Sequence, residues 1–178
     1  MKNNALVLLG CLLAIACNPP KKAVNHAKNT PHTAAKPANR PAPASVHTVP
    51  VSTKAGTVAW LDSERLMPVL EMAQREKKPV FVEFYASWCA PCKVMEEDIF
   101  TQPDVFRYLN TNFLNFHADF DSATGKTIAE IYEVEKLPTV LFLDPQGIVL
   151  ERYTGMANPS VLNSLGKSAL QKMGLGNK

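Results

Sequence analysis

The feature that most narrows the fold is an apolar run, residues 79–85, that ends four residues before two cysteines spaced i to i+3. Pro79-Val80-Phe81-Val82-Glu83-Phe84-Tyr85 is almost unbroken in apolar and aromatic side chains, the pattern of a strand buried on both faces. Such a strand is expected at the centre of its sheet. Trp88-Cys89-Ala90-Pro91-Cys92-Lys93 follows at the start of a helical pattern that reaches about Phe100, so the cysteines fall where a buried strand turns into a helix.

The flanking periodicities build outward from that unit. Residues 58–61 read as a short extended segment, and 63–76 as a helix with Leu66, Met67, Leu70 and Ala73 near helical spacing and Pro68 starting or kinking it. Gln102-Pro103-Asp104 opens a helix toward Leu109, 113–120 is a strand, 124–132 a helix and 139–144 a strand. Pro145-Gln146-Gly147 turns the chain into a hairpin partner at 148–153, and Asn158-Pro159 caps a closing helix to about Met173. Alternating strands and helices predict one α/β domain over 57–178, a central mixed sheet flanked by helices.

The first 56 residues have another texture. Lys2 precedes an apolar run from Ala5 to Ala16, the layout of a secretory signal and shorter than the roughly 20 apolar residues that span a bilayer. Residues 17–56 are rich in Pro, Ala, Lys, Asn and Thr, too poor in apolar groups to offset the entropy of ordering, and are expected to be a flexible tether. Seven of the fourteen prolines lie between Asn18 and Pro50, and six basic residues with no acid lie between Asn18 and Gly56. Twelve basic residues then face all sixteen acidic ones after Gly56, so the folded part is mildly acidic, which argues against nucleic-acid binding. His26, His32 and His47 are spread through the Pro-rich segment without the clustering that a metal site needs.

The chemistry concentrates at Cys89 and Cys92. A cysteine at a helix opening feels unpaired backbone N–H groups and the positive end of the helix dipole, which favour thiolate. One helical turn separates the two sulfurs, close enough to form a disulfide and for Cys92 to attack a mixed disulfide made by Cys89. A zinc site would need further ligands where His117 is the only later histidine, and a c-type haem would need histidine at position 93, where Lys93 stands. A merely structural disulfide across two residues constrains little of the unfolded chain. Copper(I) delivery by the two thiols, or a non-catalytic partner-binding module, stays open.

Glu83 is the other conspicuous residue, because a carboxylate inside an apolar strand is costly without a partner or a role. A raised pKa would suit it to take the proton of Cys92.

Residues 57–173 resemble the thioredoxin superfamily. Within it, 78–93, with Met95-Glu96 and Ile99-Phe100 following, is most similar to the thioredoxin-like C-terminal domain of the bacterial transmembrane reductase that carries electrons to the periplasm. Leu137-Pro138-Thr139 before a strand is a second match. The resemblance implies an extracytoplasmic thiol–disulfide oxidoreductase without metal or organic cofactor, acting on the disulfides or thiols of other proteins and drawing electrons from a membrane donor. An oxidase or isomerase is the alternative direction.

It also implies a cis bond before Pro138, backbone at Leu137 free to pair with substrate, and Glu83 as the buried acid behind Cys92, where the family usually has Asp. His117 stands where many members carry a lysine paired with that acid. Trp88, Pro91 and Lys93 are expected to support the cysteines. The N-terminus, with Leu13-Ala14-Ile15-Ala16-Cys17, resembles a bacterial lipoprotein signal, which implies cleavage after residue 16, lipid on Cys17 and a periplasm-facing protein anchored to the inner or outer membrane.

Overall fold

A computed structural model describes residues 49–52 and 55–176. The expected signal at 1–16 and most of the expected tether at 17–56 lie outside the described residues. Within those described, the chain forms β1 (Val51–Ser52), β2 (Trp60–Leu61), α1 (Leu66–Glu76), β3 (Val80–Tyr85), α2 (Ala90–Val94), α3 (Pro103–Asn112), β4 (Leu114–Asp119), α4 (Ala123–Ile131), β5 (Thr139–Leu143), β6 (Val149–Thr154) and α5 (Pro159–Lys172). A single π-helical turn, Met95–Ile99, continues α2.

The sheet order is β1-β2-β4-β3-β5-β6, with β3 parallel to β4 and antiparallel to β5, so the expected mixed sheet is the one that forms. Central position explains the sequence of β3: Val80, Val82 and Phe84 face α1 and α4 on one side, while Phe81 faces the side of α3 and α5. Six phenylalanines, at 81, 84, 100, 113, 116 and 142, are fully buried across the two faces. Each contributes roughly 1.5–3 kcal/mol of transfer free energy.

Four local differences from the expected elements have physical causes. The sheet extends further back than residue 57: Val51 and Ser52 pair antiparallel with Leu61 and Trp60, and Val49 is buried among the α1 side chains. Val49 alone anchors this edge, since Val51 is exposed, and a single buried valine does not register against its Pro-rich surroundings. The strand expected at 58–61 pairs only at Trp60 and Leu61, because the N–H of Ala59 donates to Asn110 Oδ1 (2.8 Å) and that of Val58 to Phe100 O (3.1 Å).

Helix α1 begins at Leu66 rather than Ser63, since the Ser63 hydroxyl closes a turn on Arg65. Pro68 then falls in the first turn, where its missing N–H has no intrahelical partner to lose. After α2 the ladder takes one extra residue, and Phe100 N–H reaches Met95 O at 2.8 Å. The wider turn keeps Met95 and Phe100 buried while Glu96, Glu97 and Asp98 face outward.

Candidate active site

Strand β3 ends at Tyr85, and a three-residue bend delivers Cys89 to the N-cap of α2. Cys89 and Cys92 are joined by a disulfide, with their Cα atoms 5.3 Å apart. The backbone N–H of Cys92 donates to Cys89 Sγ at 3.3 Å. Pro91 in the first turn has no N–H to satisfy, so it opens the helix without cost. Both sulfur-bearing residues are nearly covered, so accessibility does not distinguish them; position does. Only Cys89 sits at the N-cap with a backbone donor aimed at its sulfur, which is the group that a thiolate there would use.

The surroundings come from distant parts of the chain. Ala86 is buried beside the two cysteines, and Tyr85, Phe120 and Leu137 pack against them. The Leu137–Pro138 bond is cis, as the resemblance implied; Pro138 is buried, and its carbonyl accepts from Gly155 N–H at 2.8 Å. Trp88 stands 65% exposed at the rim with its Nε1 donating to Asp121 Oδ1 at 3.0 Å, and Pro91 and Lys93 are exposed next to it. Among the larger depressions of the surface, one of about 570 Å³ lies between Lys78, Tyr108 and Lys167, away from the disulfide. An exposed ledge around the sulfurs suits an extended protein chain better than an enclosed small molecule.

Glu83 is 1% exposed in the middle of β3 and stands opposite His117 in the β3–β4 register. His117 Nε2 lies 3.1 Å from Glu83 Oε2, near enough for an ion pair but out of line for a hydrogen bond, so neither carboxylate oxygen has an aligned donor. Burial raises the Glu83 carboxyl above its ordinary range; His117 opposes that rise and the charge of Glu96 adds to it. The imidazole is stacked between Trp60 (centroids 4.5 Å, planes 15°) and Tyr85 (3.6 Å, 23°). Burial, reinforced by Asp119, Glu96 and Glu83, also raises the Tyr85 phenol.

Sequence reasoning singled out Glu83 and His117 but missed Trp60, Tyr85 and Asp121. Tyr85 shares the strand face of Glu83 by period two, a signal present in the sequence. Trp60 reaches His117 only because β2 pairs with β4 at Asn115, and the reach from Asp121 to Trp88 depends on the β4–α4 turn. Neither was legible beforehand. Among the described residues no group of three or more His, Cys, Asp or Glu side chains is placed to hold a metal ion.

A disulfide across the first turn of a helix, at the end of a buried central strand, defines a thiol–disulfide oxidoreductase of thioredoxin-like architecture. The chain belongs to the thioredoxin-like domain family, whose profile matches residues 67–170. It is 39% identical over 87 residues to a thiol:disulfide interchange protein, DsbD, of Yersinia pestis, covering 47% of this chain and 15% of that one. Against the protein of the same description from Pseudomonas fluorescens it is 32% identical over 83 residues, 46% of this chain and 14% of that one. The chain thus spans only about 15% of the length of these curated relatives.

Among solved structures, a putative disulphide-isomerase from Bacteroides thetaiotaomicron superposes with TM-score 0.54 at 29% identity, over 71% of this chain and 99% of that one. The DsbH oxidoreductase superposes with TM-score 0.55 at 22% identity, over 67% and 91%, a likeness of fold.

Proposed function

We propose that the protein reduces disulfides of other proteins in the bacterial cell envelope, with Cys89 as nucleophile and Cys92 as resolving thiol. The observation that carries this reading is the Cys92 N–H on Cys89 Sγ at the N-cap of α2, since that donor stabilises the attacking thiolate. In the reduced protein, Cys89 thiolate attacks one sulfur of the substrate disulfide, forming a mixed disulfide and expelling a substrate thiolate. Cys92, giving up its proton, then attacks Cys89 Sγ. The second substrate sulfur leaves as a thiolate, and the pair has passed two electrons to the substrate and closed as Cys89–Cys92.

Glu83, buried in β3 with His117 Nε2 at 3.1 Å, supplies an acceptor for the Cys92 proton. Leu137 flanks the sulfurs and offers backbone to an extended substrate chain, with Trp88, Pro91 and Lys93 forming the rim.

A dithiol must re-reduce the pair, and the resemblance of residues 78–93 to the periplasmic domain of a transmembrane reductase supports a membrane thiol donor. Residues 1–16 are read as a lipoprotein signal, with lipid on Cys17 and the following chain as tether, holding the domain at the membrane that supplies its electrons. Among the described residues no helix is long and apolar enough to cross a membrane. Growth of a Cys17→Ser variant in a bacterial host, followed by membrane fractionation and fatty-acid labelling, tests that part: label and membrane residence lost together support it, and both retained overturn it.

The likeness to a putative disulphide-isomerase favours a second reading, in which the same pair donates or reshuffles disulfides. The reduction potential of the Cys pair, titrated against glutathione, separates the two. A value near about −270 mV supports the reductase, and one near about −120 mV transfers the assignment to disulfide donation. Copper(I) binding by the reduced pair with no disulfide exchange would overturn both.

A further inference from the structure

The imidazole of His117 occupies an unusual corner. One face meets Trp60 on β2, another meets Tyr85 on β3, and Nε2 lies 3.1 Å from a carboxylate oxygen of Glu83. The side chain is 16% exposed, so the ring keeps an edge toward water while its partner Glu83 has almost none. The ionisable groups acting on Glu83 are His117 and Glu96, and those acting on Tyr85 are Asp119, Glu96 and Glu83. His117 is the one base in that set, and every other member is an acid. The set also reaches the reactive centre, because Tyr85, stacked on His117, packs against the cluster formed by Ala86, Cys89 and Cys92.

We propose that His117 is the charge partner of the reduced cysteine pair: its ring takes up a proton when the Cys89–Cys92 bond is reduced, so that protonation of His117 and reduction of the disulfide favour one another. Trp60 and Tyr85 are positioning residues, and their π faces on either side of the ring stabilise it as a cation. The inference rests on the assignment of Cys89 as the thiolate-bearing sulfur.

Two glutathione thiolates deliver two electrons and become glutathione disulfide; the S–S bond breaks; Cys92 takes a proton from solvent; Cys89 remains a thiolate. That new negative charge forms in the cluster against which Tyr85 packs, and the charges of Asp119, Glu96 and Glu83 already act on Tyr85. A proton from water on His117 compensates it, entering by the exposed edge of the ring. Linkage makes the effect reciprocal: whatever the thiolate adds to the proton affinity of His117, the protonated ring returns to the stability of the reduced pair.

The test is the equilibrium of the full-length protein with glutathione across pH 6 to 8, about the range in which imidazoles change charge. As pH falls from 8 to 6, the ratio of reduced to oxidised wild-type protein is expected to rise by about fivefold relative to the same ratio for His117→Gln, the low end of ordinary site-to-site coupling. His117→Lys, which keeps a cation throughout the range, should lose the pH-dependent increment while staying on the reduced-favouring side. Parallel curves for wild type and His117→Gln would overturn the inference and leave the reductase reading intact.

Failure of wild-type protein to exchange with glutathione or protein disulfides would instead take down that reading and this inference with it. Should the variants not fold, the His117 ring resonance followed by NMR in oxidised and reduced wild-type protein decides: titration curves that separate on reduction support the link, and superimposed curves refute it.

Discussion

Trp88 and Asp121, 33 positions apart, are joined by a 3.0 Å hydrogen bond from the indole Nε1 to the carboxylate Oδ1, and both residues are exposed. The bond ties the residue before Cys89 to the turn after β4, so it holds a large apolar surface in place at the rim of the site without burying it. Asp121→Ala should cost the fold little, since an exposed hydrogen bond is worth roughly 1 kcal/mol. Its effect falls on substrate binding instead. The second-order rate with a folded disulfide-containing protein is expected to drop by about fivefold, the equivalent of roughly 1 kcal/mol, while the rate with glutathione disulfide is unchanged. Equal losses with both oxidants would show that Trp88 acts on the sulfurs and not on the docking chain.

Gly125 tests the turn that places Asp121. It sits in the first turn of α4, where its N–H donates to the Ser122 hydroxyl at 2.9 Å, and a Cβ built on it would lie 1.8 Å from the carbonyl oxygen of Asp119. Backbone cannot swing aside as a long side chain would. Gly125→Ala is therefore expected to destabilise the protein by about 3 kcal/mol or more, read as a loss of denaturant midpoint at unchanged slope. A cost under about 0.5 kcal/mol would mean that the β4–α4 turn gives easily.

Arg152 on β6 closes the end of α4. Its guanidinium donates to the carbonyls of Tyr132 and, at 3.2 Å, Glu133, acceptors that follow the last helical turn. Glu133 has φ 52°, a left-handed conformation that ends the helix and turns those carbonyls toward the strand. Charge-assisted bonds of this kind contribute roughly 1.5–3 kcal/mol at most, less where water competes. Arg152→Ala should lower stability by about 1–2 kcal/mol in urea unfolding, and Arg152→Lys, lacking the fork, should recover only part of it. Full recovery by lysine would reduce the interaction to simple charge.

The hydrophobic pattern of 79–85 made β3 legible as a central strand because burial on both faces leaves no polar alternation, and the cysteine spacing made the site legible because it is local. Glu83 stood out for the opposite reason, as a charge where the pattern wanted none. What stayed hidden depends on register and on single side-chain bonds. Asn110 and Asn115, whose amides bridge to Ala59 and Thr57, fix the entry of the domain, yet nothing in their sequence neighbourhood marks them. The aromatic clamp on His117 needs β2 beside β4, a pairing of two-residue reach that no periodicity announces.

The buried carboxyl of Glu83 makes the stability of the protein depend on pH. Burial raises its pKa in the folded state above the ordinary value of about 4.5, so within that window the native protein holds a proton that the unfolded chain has released. Native molecules then bind more protons than unfolded ones, and stability falls as pH rises from about 4.5 through the raised folded value, levelling off above it. Glutamine at position 83 keeps the shape and cannot ionise. Glu83→Gln should match wild type near pH 4.5 and become the more stable of the two toward pH 8, by roughly 1–3 kcal/mol, with His117 at 3.1 Å holding the difference down. The same variant should slow protein disulfide reduction by removing the acceptor for the Cys92 proton, a gain in stability coupled to a loss of rate. Melting curves at several pH values decide the first part: parallel profiles for the two proteins would show that the Glu83 charge is already compensated by His117 in the fold.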